Sequence, residues 1–177
     1  MREAGVAMLR SVVAAFVVLG VSTAAFAHVE LGGQAAIGSD YTAVFRVTHG
    51  CAGSPTVKVR LQIPEGVVGV EPVAKQGWTV GTVNAKYRKP YSHLGKTVTE
   101  GPREVVWSGG NLPDKQHDEF SVRVFITDAF KPGTTVYFPA LQQCAVGVNR
   151  WIEIPANGKK AEDYEMPAPG VTIAPQR

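Results

Sequence analysis

Apart from one short segment near its start, the sequence lacks any long run of apolar residues. A membrane span needs about 20 of them in succession, whereas the run "SVVAAFVVLGV" covers only residues 11–21. Basic residues precede it, and the tripeptide "AFA" at 25–27 has the small-x-small pattern of a signal peptidase site. We therefore expect residues 1–27 to be a signal peptide, cleaved between Ala27 and His28. The mature protein would then be periplasmic or secreted.

The sequence has two cysteines, and whether they form a disulfide depends on the compartment of the protein. Cys51 and Cys144 are separated by 93 residues, and disulfides persist in exported proteins. A thiolate metal site is the alternative, but these cysteines lack the close Cys or His spacing that such sites have. We expect a disulfide between Cys51 and Cys144.

An excess of charge of one sign is also missing. The 18 basic residues are scattered among 15 acidic ones, so the sequence has no basic stripe for nucleic acid, and no nucleic-acid partner is expected. A modest cluster, "AKYRKPY" at 85–91, is typical of a solvated strand or loop edge. A Gly-rich phosphate loop and a glycine-flanked nucleophilic serine are absent as well, so we expect no enzyme of those classes.

Strand signals dominate the mature chain, and no helical period persists for long. Apolar and polar residues alternate with period two, and Gly and Pro interrupt the alternation, which indicates six to eight short strands. The candidate strands are 41–47, 56–64, 78–84, 103–109, 119–127, 134–143 and 150–155. This series predicts an all-β fold in which two antiparallel sheets pack face to face as a β-sandwich.

The same alternation predicts the core and the extent of the domain. The candidate core residues are Val44, Phe45 or Val47, Val57, Val59, Leu61, Val105, Trp107, Phe120, Val122, Val124 and Tyr137. We expect one β-sandwich domain over 28–165. A Pro-rich C-terminal tail, 166–177, follows it and is either laid along the sandwich edge or disordered.

His28 becomes chemically distinct if the leader is removed before it. Cleavage leaves an α-amine with a reference pKa of about 8, and this amine and the ring Nδ1 of the same residue can close one chelate ring on a metal. Copper(II) prefers such nitrogen-rich, tetragonal sites. The alternative is that His28 is only a residue that the peptidase tolerates.

Further ligands would have to come from elsewhere in the chain. Three more histidines, each more typical of the surface than of a metal site, are His49, His93 and His117. His49 has the strongest case, because Cys51 anchors its loop. The three tryptophans are by their pattern typical of a core: Trp78, Trp107 and Trp151.

These stretches together resemble the YcnI-like family of exported copper-binding proteins. The resemblance rests on "HVEL" after the leader, then "VFRVTHGC", "VKVRLQIPEGV", "KQGWTV", "VVWSGG", "LPDKQHDEF", "TTVYFPALQQC" and "RWIEIP", in that order. It covers His28 to about Pro169. It implies a sandwich of the fibronectin or immunoglobulin type and a copper(II) site called a mono-histidine brace. In that site His28 would supply its amine and ring nitrogen, and Trp151 would lie near the metal.

The third ligand departs from the family pattern. There a glutamate follows the first long strand, whereas this chain has "VTHGCAG", without a carboxylate. His49 could replace the carboxylate by an imidazole, Glu119 or Asp118 could reach in from another strand, or water could fill the position. We favour His49, and rank Glu30 lower because it adjoins the terminus on a different face.

The resemblance implies a periplasmic copper chaperone or storage protein that performs no catalysis. Its partner would be another exported copper carrier or a membrane copper transporter. Two alternatives stay open. A site in which His49 or His117 joins His28 would have the ligands of a copper-dependent oxidase or oxygenase of the kind that attacks polysaccharides. A sandwich without metal would be an interaction module of the cell envelope.

Overall fold

Alternating strands build two antiparallel sheets and one smaller sheet in the computed structural model, which describes residues 29–156 and 158–176. The predicted signal peptide and His28 lie outside these residues. The first sheet has the order β1 (Glu30–Leu31), β3 (Ser39–Val47), β8 (Asp118–Ile126), β5 (Val67–Pro72). The second has the order β11 (Val148–Trp151), β10 (Ala140–Cys144), β4 (Thr56–Gln62), β7 (Lys96–Leu112), β6 (Thr79–His93).

The third sheet consists of β2 (Gln34–Ala36), β12 (Gly170–Ala174) and β9 (Thr135–Tyr137), with β12 in the middle. One 3-10 helix, Ala161–Asp163, precedes β12. Residues Val171 and Ile173 of β12 are buried in the main core. The Pro-rich tail therefore lies along the sandwich and is part of it, so the domain does not end at residue 165. Pro167 and Pro169 precede β12 and Pro175 follows it, so the strand itself contains no proline.

The core lies between the two large sheets and follows the predicted alternation in most strands. Buried as predicted are Phe45, Val47, Val59, Leu61, Val105, Trp107, Phe120, Val122 and Val124. Three predicted core residues are only half-buried: Val44, Val57 and Tyr137.

Val57 and Tyr137 were predicted to face the core but do not, and each difference has a local cause. A register shift between Thr56 and Lys58 turns Thr56 inward in place of Val57. In β9 the inward residues are Val136 and Phe138, so Tyr137 faces the other way. The period-two pattern therefore predicts the position of a strand better than it predicts which of its residues face the core.

Strands β6 and β7 form one hairpin that is longer than the sequence predicts and that curls over the first sheet. Its inward residues Tyr87, Tyr91 and Val98 form a second small core with Val68 of β5 and Phe125 of β8. The two tyrosine rings meet edge to face, with centroids 5.5 Å apart. Because Phe125 lies on the outer face of its sheet, between inward Val124 and Ile126, the hairpin covers that outer face.

Glu65 fixes the hairpin to the turn before β5. Its carboxylate accepts hydrogen bonds from the Arg88 N–H at 2.9 Å and the Tyr91 O–H at 3.0 Å, and the Arg103 guanidinium lies 2.7 Å away. Partial burial acts to raise the pKa of Glu65, but these hydrogen bonds and the charges of Arg103 and Arg88 outweigh burial and lower the pKa. Burial, followed by the bond to Glu65, raises the pKa of Tyr91 to about 12.

We expect Glu65→Gln to lower the free energy of unfolding by about 1 to 2 kcal/mol near neutral pH, because hydrogen bonds to a charged acceptor are stronger than those to a neutral one. Because the folded pKa of Glu65 is lowered, its contribution is complete above the unfolded value of about 4.3 and is lost as pH falls through the folded pKa. The contribution of Tyr91, whose pKa is raised, is complete below about 10 and is lost as pH rises toward about 12.

Urea unfolding of the wild type and the variant across this pH range measures the effect. The matched control is Glu71→Gln, because Glu71 is 73% exposed and lies 3.8 Å from Arg123. Such a pair contributes little, so the control should change stability by less than about 0.5 kcal/mol. Equal losses of unfolding free energy in both variants at every pH would show that Glu65 does not hold the hairpin in place.

Candidate functional site

The loop after β3 carries His49 and is held from two directions. The Gly50 N–H donates to the Asp114 carbonyl at 3.0 Å, and Cys51 is bonded to Cys144, with their Cα atoms 6.0 Å apart. The predicted disulfide is therefore confirmed. A side chain at position 50 is excluded, because its Cβ would lie 2.1 Å from the Ser54 carbonyl oxygen. The loop thus approaches its neighbours as only glycine permits.

Gln142, on β10, connects this loop to the second sheet. Its side chain is 1% exposed. Its Nε2 donates to the carbonyl oxygen of His49 and, at 2.8 Å, to the Thr56 hydroxyl. Its Oε1 accepts from the Trp151 indole N–H at 3.0 Å and from Asn149 Nδ2 at 3.4 Å. A buried amide with all of its polar atoms bonded holds its partners in one arrangement.

Trp151 and His49 are thereby placed around one side chain. Trp151, 3% exposed, ends β11 and belongs to the main core, opposite Ala140. His49 is half-buried, and its ring Nδ1 lies in hydrogen-bond contact with the Gly50 carbonyl. A ring Nδ1 that donates to a carbonyl leaves Nε2 with its lone pair, the arrangement that histidine ligands adopt.

The first described residue, Val29, precedes the edge strand β1. Val29 is 4% exposed and belongs to the main core. The next residue, Glu30, pairs with Arg46, near the end of β3 that leads to His49. Strand β5 contacts β6 and β7 at one side of the sandwich. The strand orders therefore put β1 and β11 at the opposite side.

Glu119 lies on a different surface. It is exposed on β8, next to inward Phe120, and pairs across the sheet with Arg46, which in turn pairs with Glu30. These three side chains line a shallow concavity on the outer face of the first sheet. Its neighbour Asp118 forms an ion pair with Lys75 at 2.7 Å.

No contact described for residues 29–156 and 158–176 joins Glu119 to His49 or Trp151. Of the candidate ligands, the described structure brings His49 alone toward Trp151. The role of Glu119 as a ligand stays a prediction, and so does that of His28, which lies outside the described residues.

Of the remaining histidines, His93 lies on the outer face of the first sheet, against Phe125. The two ring centroids are 5.0 Å apart, and the His93 Cε1 would lie 2.5 Å from a Cβ at Gly69.

His117 is exposed before β8. It lies nearer to His49, because the next residue, Asp118, pairs with Val47 at the end of β3. Within the described part of the chain, no three His, Cys, Asp or Glu side chains come together as a metal cluster, and no helix there is long and apolar enough to span a membrane.

Gln142 is the residue of this hydrogen-bonded junction that sequence reasoning missed. A signal was present, because Gln142 is two residues from both Ala140 and Cys144 and so faces inward with them. Its polar type hid this position, since glutamine is mostly exposed.

Comparison with known proteins agrees with this architecture. The chain is similar to a solved structure titled "Crystal structure of an uncharacterized protein from Nocardia farcinica reveals an immunoglobulin-like fold". The TM-score is 0.60 at 25% sequence identity, and the similarity covers 83% of this chain and 98% of that chain. The predicted antiparallel sandwich of the immunoglobulin type is therefore confirmed.

A search among curated proteins finds no match. Residues 28–173 match the family described as "Domain of unknown function (DUF1775)", the designation under which the YcnI family is known. The match begins at His28 and extends into strand β12, as far as Ile173. With most of its length matched, this chain belongs to the DUF1775 family.

Proposed function

We propose that this protein binds copper(II) outside the cytoplasm and holds or passes the ion without catalysing a reaction. One observation carries the proposal: the buried amide of Gln142 joins the His49 carbonyl to the Trp151 indole. The strand orders put β11, which Trp151 ends, on the same side of the sandwich as β1, which Val29 precedes. His28, the residue before Val29, would supply its α-amine and ring Nδ1 once the leader has been cleaved.

The donor chemistry of these residues suits copper(II). An amine and an imidazole Nδ1 from one residue give two nitrogen donors in a six-membered chelate, which the tetragonal preference of copper(II) favours. The Nε2 of His49 offers a third nitrogen, since its Nδ1 is engaged with Gly50. The Trp151 ring, held by Gln142, would give the ion an apolar neighbour on one side. These nitrogen donors would hold the copper ion, which the protein only stores and releases.

A carrier is favoured over an oxygenase by the character of the surface. None of the aromatic side chains in the described residues is exposed, and the exposed large apolar residues are all aliphatic: Val73, Val83, Leu94, Val146, Val148, Ile152 and Ile154. An enzyme that acts on a sugar polymer needs a flat aromatic surface for stacking. We therefore propose a non-enzymatic role, with another exported copper carrier or a membrane copper transporter as the partner.

We expect the mature protein beginning at His28 to bind one equivalent of copper(II) with the paramagnetic resonance spectrum of a tetragonal nitrogen site. An otherwise identical protein with one alanine added before His28 has no α-amine on that residue. Losing one donor of a chelate should weaken binding by at least roughly a hundredfold. The fold should be unaffected. Copper at about 100 times the Kd of the first protein should stabilise that protein by about 2.7 kcal/mol and the extended protein by no more than about 0.4 kcal/mol.

The control is His49→Ala in the protein that begins at His28. If His49 is the third ligand, this variant loses one set of nitrogen hyperfine lines but keeps the chelate. Unchanged lines would point to Glu119 or water as the third donor. Equal affinity in the native and the extended proteins would exclude the brace and leave a sandwich without a copper function.

A further inference from the structure

The distal part of the β6–β7 hairpin carries the positive charge of the described protein. Within residues 85–100 there are four basic side chains, Lys86, Arg88, Lys89 and Lys96, against the single acidic Glu100. The remaining described residues contain eleven basic and thirteen acidic side chains. All four basic residues are exposed. We call this segment, with its turn at Leu94, the basic hairpin tip.

The basic hairpin tip is held in place. Tyr87 and Tyr91 pack on the outer face of the first sheet, and Glu65 binds the Arg88 N–H and the Tyr91 O–H. The four exposed cations are therefore presented from a fixed scaffold. The Lys89 ammonium lies over the Tyr91 ring, 5.6 Å from its centroid. A preorganised charged surface loses less entropy on binding than a flexible one.

The turn of the hairpin has an unusual residue. His93 pairs with Lys96, so Leu94 and Gly95 form a two-residue turn, and both have positive φ, at 50° and 73°. Such turns strongly prefer Asn or Asp before Gly, because a bulky side chain is strained there. Leu94 is nevertheless 78% exposed. Local stability does not explain an exposed leucine in a strained position, and such positions often mark functional sites.

We propose that the basic hairpin tip docks this protein onto a membrane surface rich in anionic lipid, with Leu94 entering the headgroup layer. Exposed cations next to an anionic surface and one shallow apolar anchor are sufficient for such reversible binding. A protein partner is a poorer fit. A stable protein interface needs about 800 Å² on each side with an apolar centre, and the tip offers one exposed leucine among charges.

The docking proposal is independent of copper. It also revises the sequence-based interpretation of "AKYRKPY" as a merely solvated edge. For a carrier that exchanges an ion with a membrane protein, residence at the surface would shorten the search for the partner.

The test is the partition of the metal-free mature protein onto vesicles of phosphatidylcholine, with and without phosphatidylglycerol, in the presence of a chelator. We expect binding only to the anionic vesicles, and a steep loss of binding as salt is raised. The triple variant K86Q/R88Q/K89Q should bind about a hundredfold more weakly, since each cation near the surface contributes about a fivefold factor. Leu94→Asn should weaken binding about fivefold while the fold becomes no less stable.

The matched control is K115Q/K131Q/K159Q, which removes the same charge from three exposed lysines elsewhere. It should change partition by no more than about threefold, because charges beyond a Debye length of roughly 10 Å from the membrane are screened. Urea unfolding of each variant verifies that it is folded. No binding to anionic vesicles, equal binding to neutral ones, or equal losses from the two triple variants would overturn the proposal. None of these results depends on whether His28 binds copper.

Discussion

We expect the double variant C51A/C144A to be less stable than the wild type by about 4 to 5 kcal/mol. The disulfide closes a loop of 93 residues, and the chain-entropy model assigns roughly this stabilisation to a loop of that length. A domain of this size has a stability of about 5 to 15 kcal/mol, so the variant would be marginal at 37 °C. Urea unfolding of both proteins measures the difference, and a larger m value in the variant would report a more expanded unfolded chain.

Part of that loss could come from the two buried thiols themselves rather than from the bond. Wild-type protein in a reductant keeps both side chains and loses only the bond, so it is the matched control. If the loss is entropic, the reduced wild type and the double variant should agree within about 1 kcal/mol. A loss below about 1 kcal/mol in both would show that strand pairing alone holds the loop of His49 in place.

We expect Gln142→Met to cost about 3 kcal/mol. Methionine has nearly the volume of glutamine, so no large cavity forms. The substitution removes the bonds to the His49 carbonyl, the Thr56 hydroxyl and the Trp151 indole. Leaving a buried polar group without its partner costs about 1 to 3 kcal/mol, and the His49 carbonyl and the Thr56 hydroxyl both lose a donor.

The chain offers a control one residue away. Gln143→Met makes the same chemical change at an exposed position of the same strand, and surface changes of this kind stay within about 0.5 kcal/mol. Thermal or urea unfolding of the two variants separates burial from residue type. Similar losses at positions 142 and 143 would contradict the role of Gln142 as the junction of the two sheets. A copper titration of the folded Gln142→Met variant would then show whether this junction also serves the proposed metal site.

Much of the fold could be predicted from the local alternation of apolar and polar residues. The alternation in 41–47 and 119–127 predicted β3 and β8, because the side chains of a strand alternate wherever the strand lies. Strand β5 was missed, since Pro64 and Gly66 made its start resemble a turn. Strand β12 was missed because the prolines before it suggested a tail. In both cases a partner strand, distant in sequence, stabilises a segment whose own pattern is ambiguous.

Less of the candidate site than of the fold could be predicted from the sequence. His49 was singled out because a cysteine anchors its loop, and the structure places it at the same junction as Trp151. Gln142 could not be connected to it, because 93 residues separate the two in the chain. Glu119 was offered as a carboxylate that could reach in from another strand, and strand alternation turns its side chain outward, opposite to Phe120.

By itself, the sequence determined the class of the fold and the pairing of the cysteines. Period-two alternation is a property of each strand alone, and two cysteines in one domain permit a single intramolecular pairing. Only the tertiary structure decided that Gln142 joins the His49 loop to Trp151, that the hairpin curls over the first sheet, and that Glu65 fixes it there. These features arise from the register between strands and from contacts between residues far apart in the chain, and a local pattern contains neither.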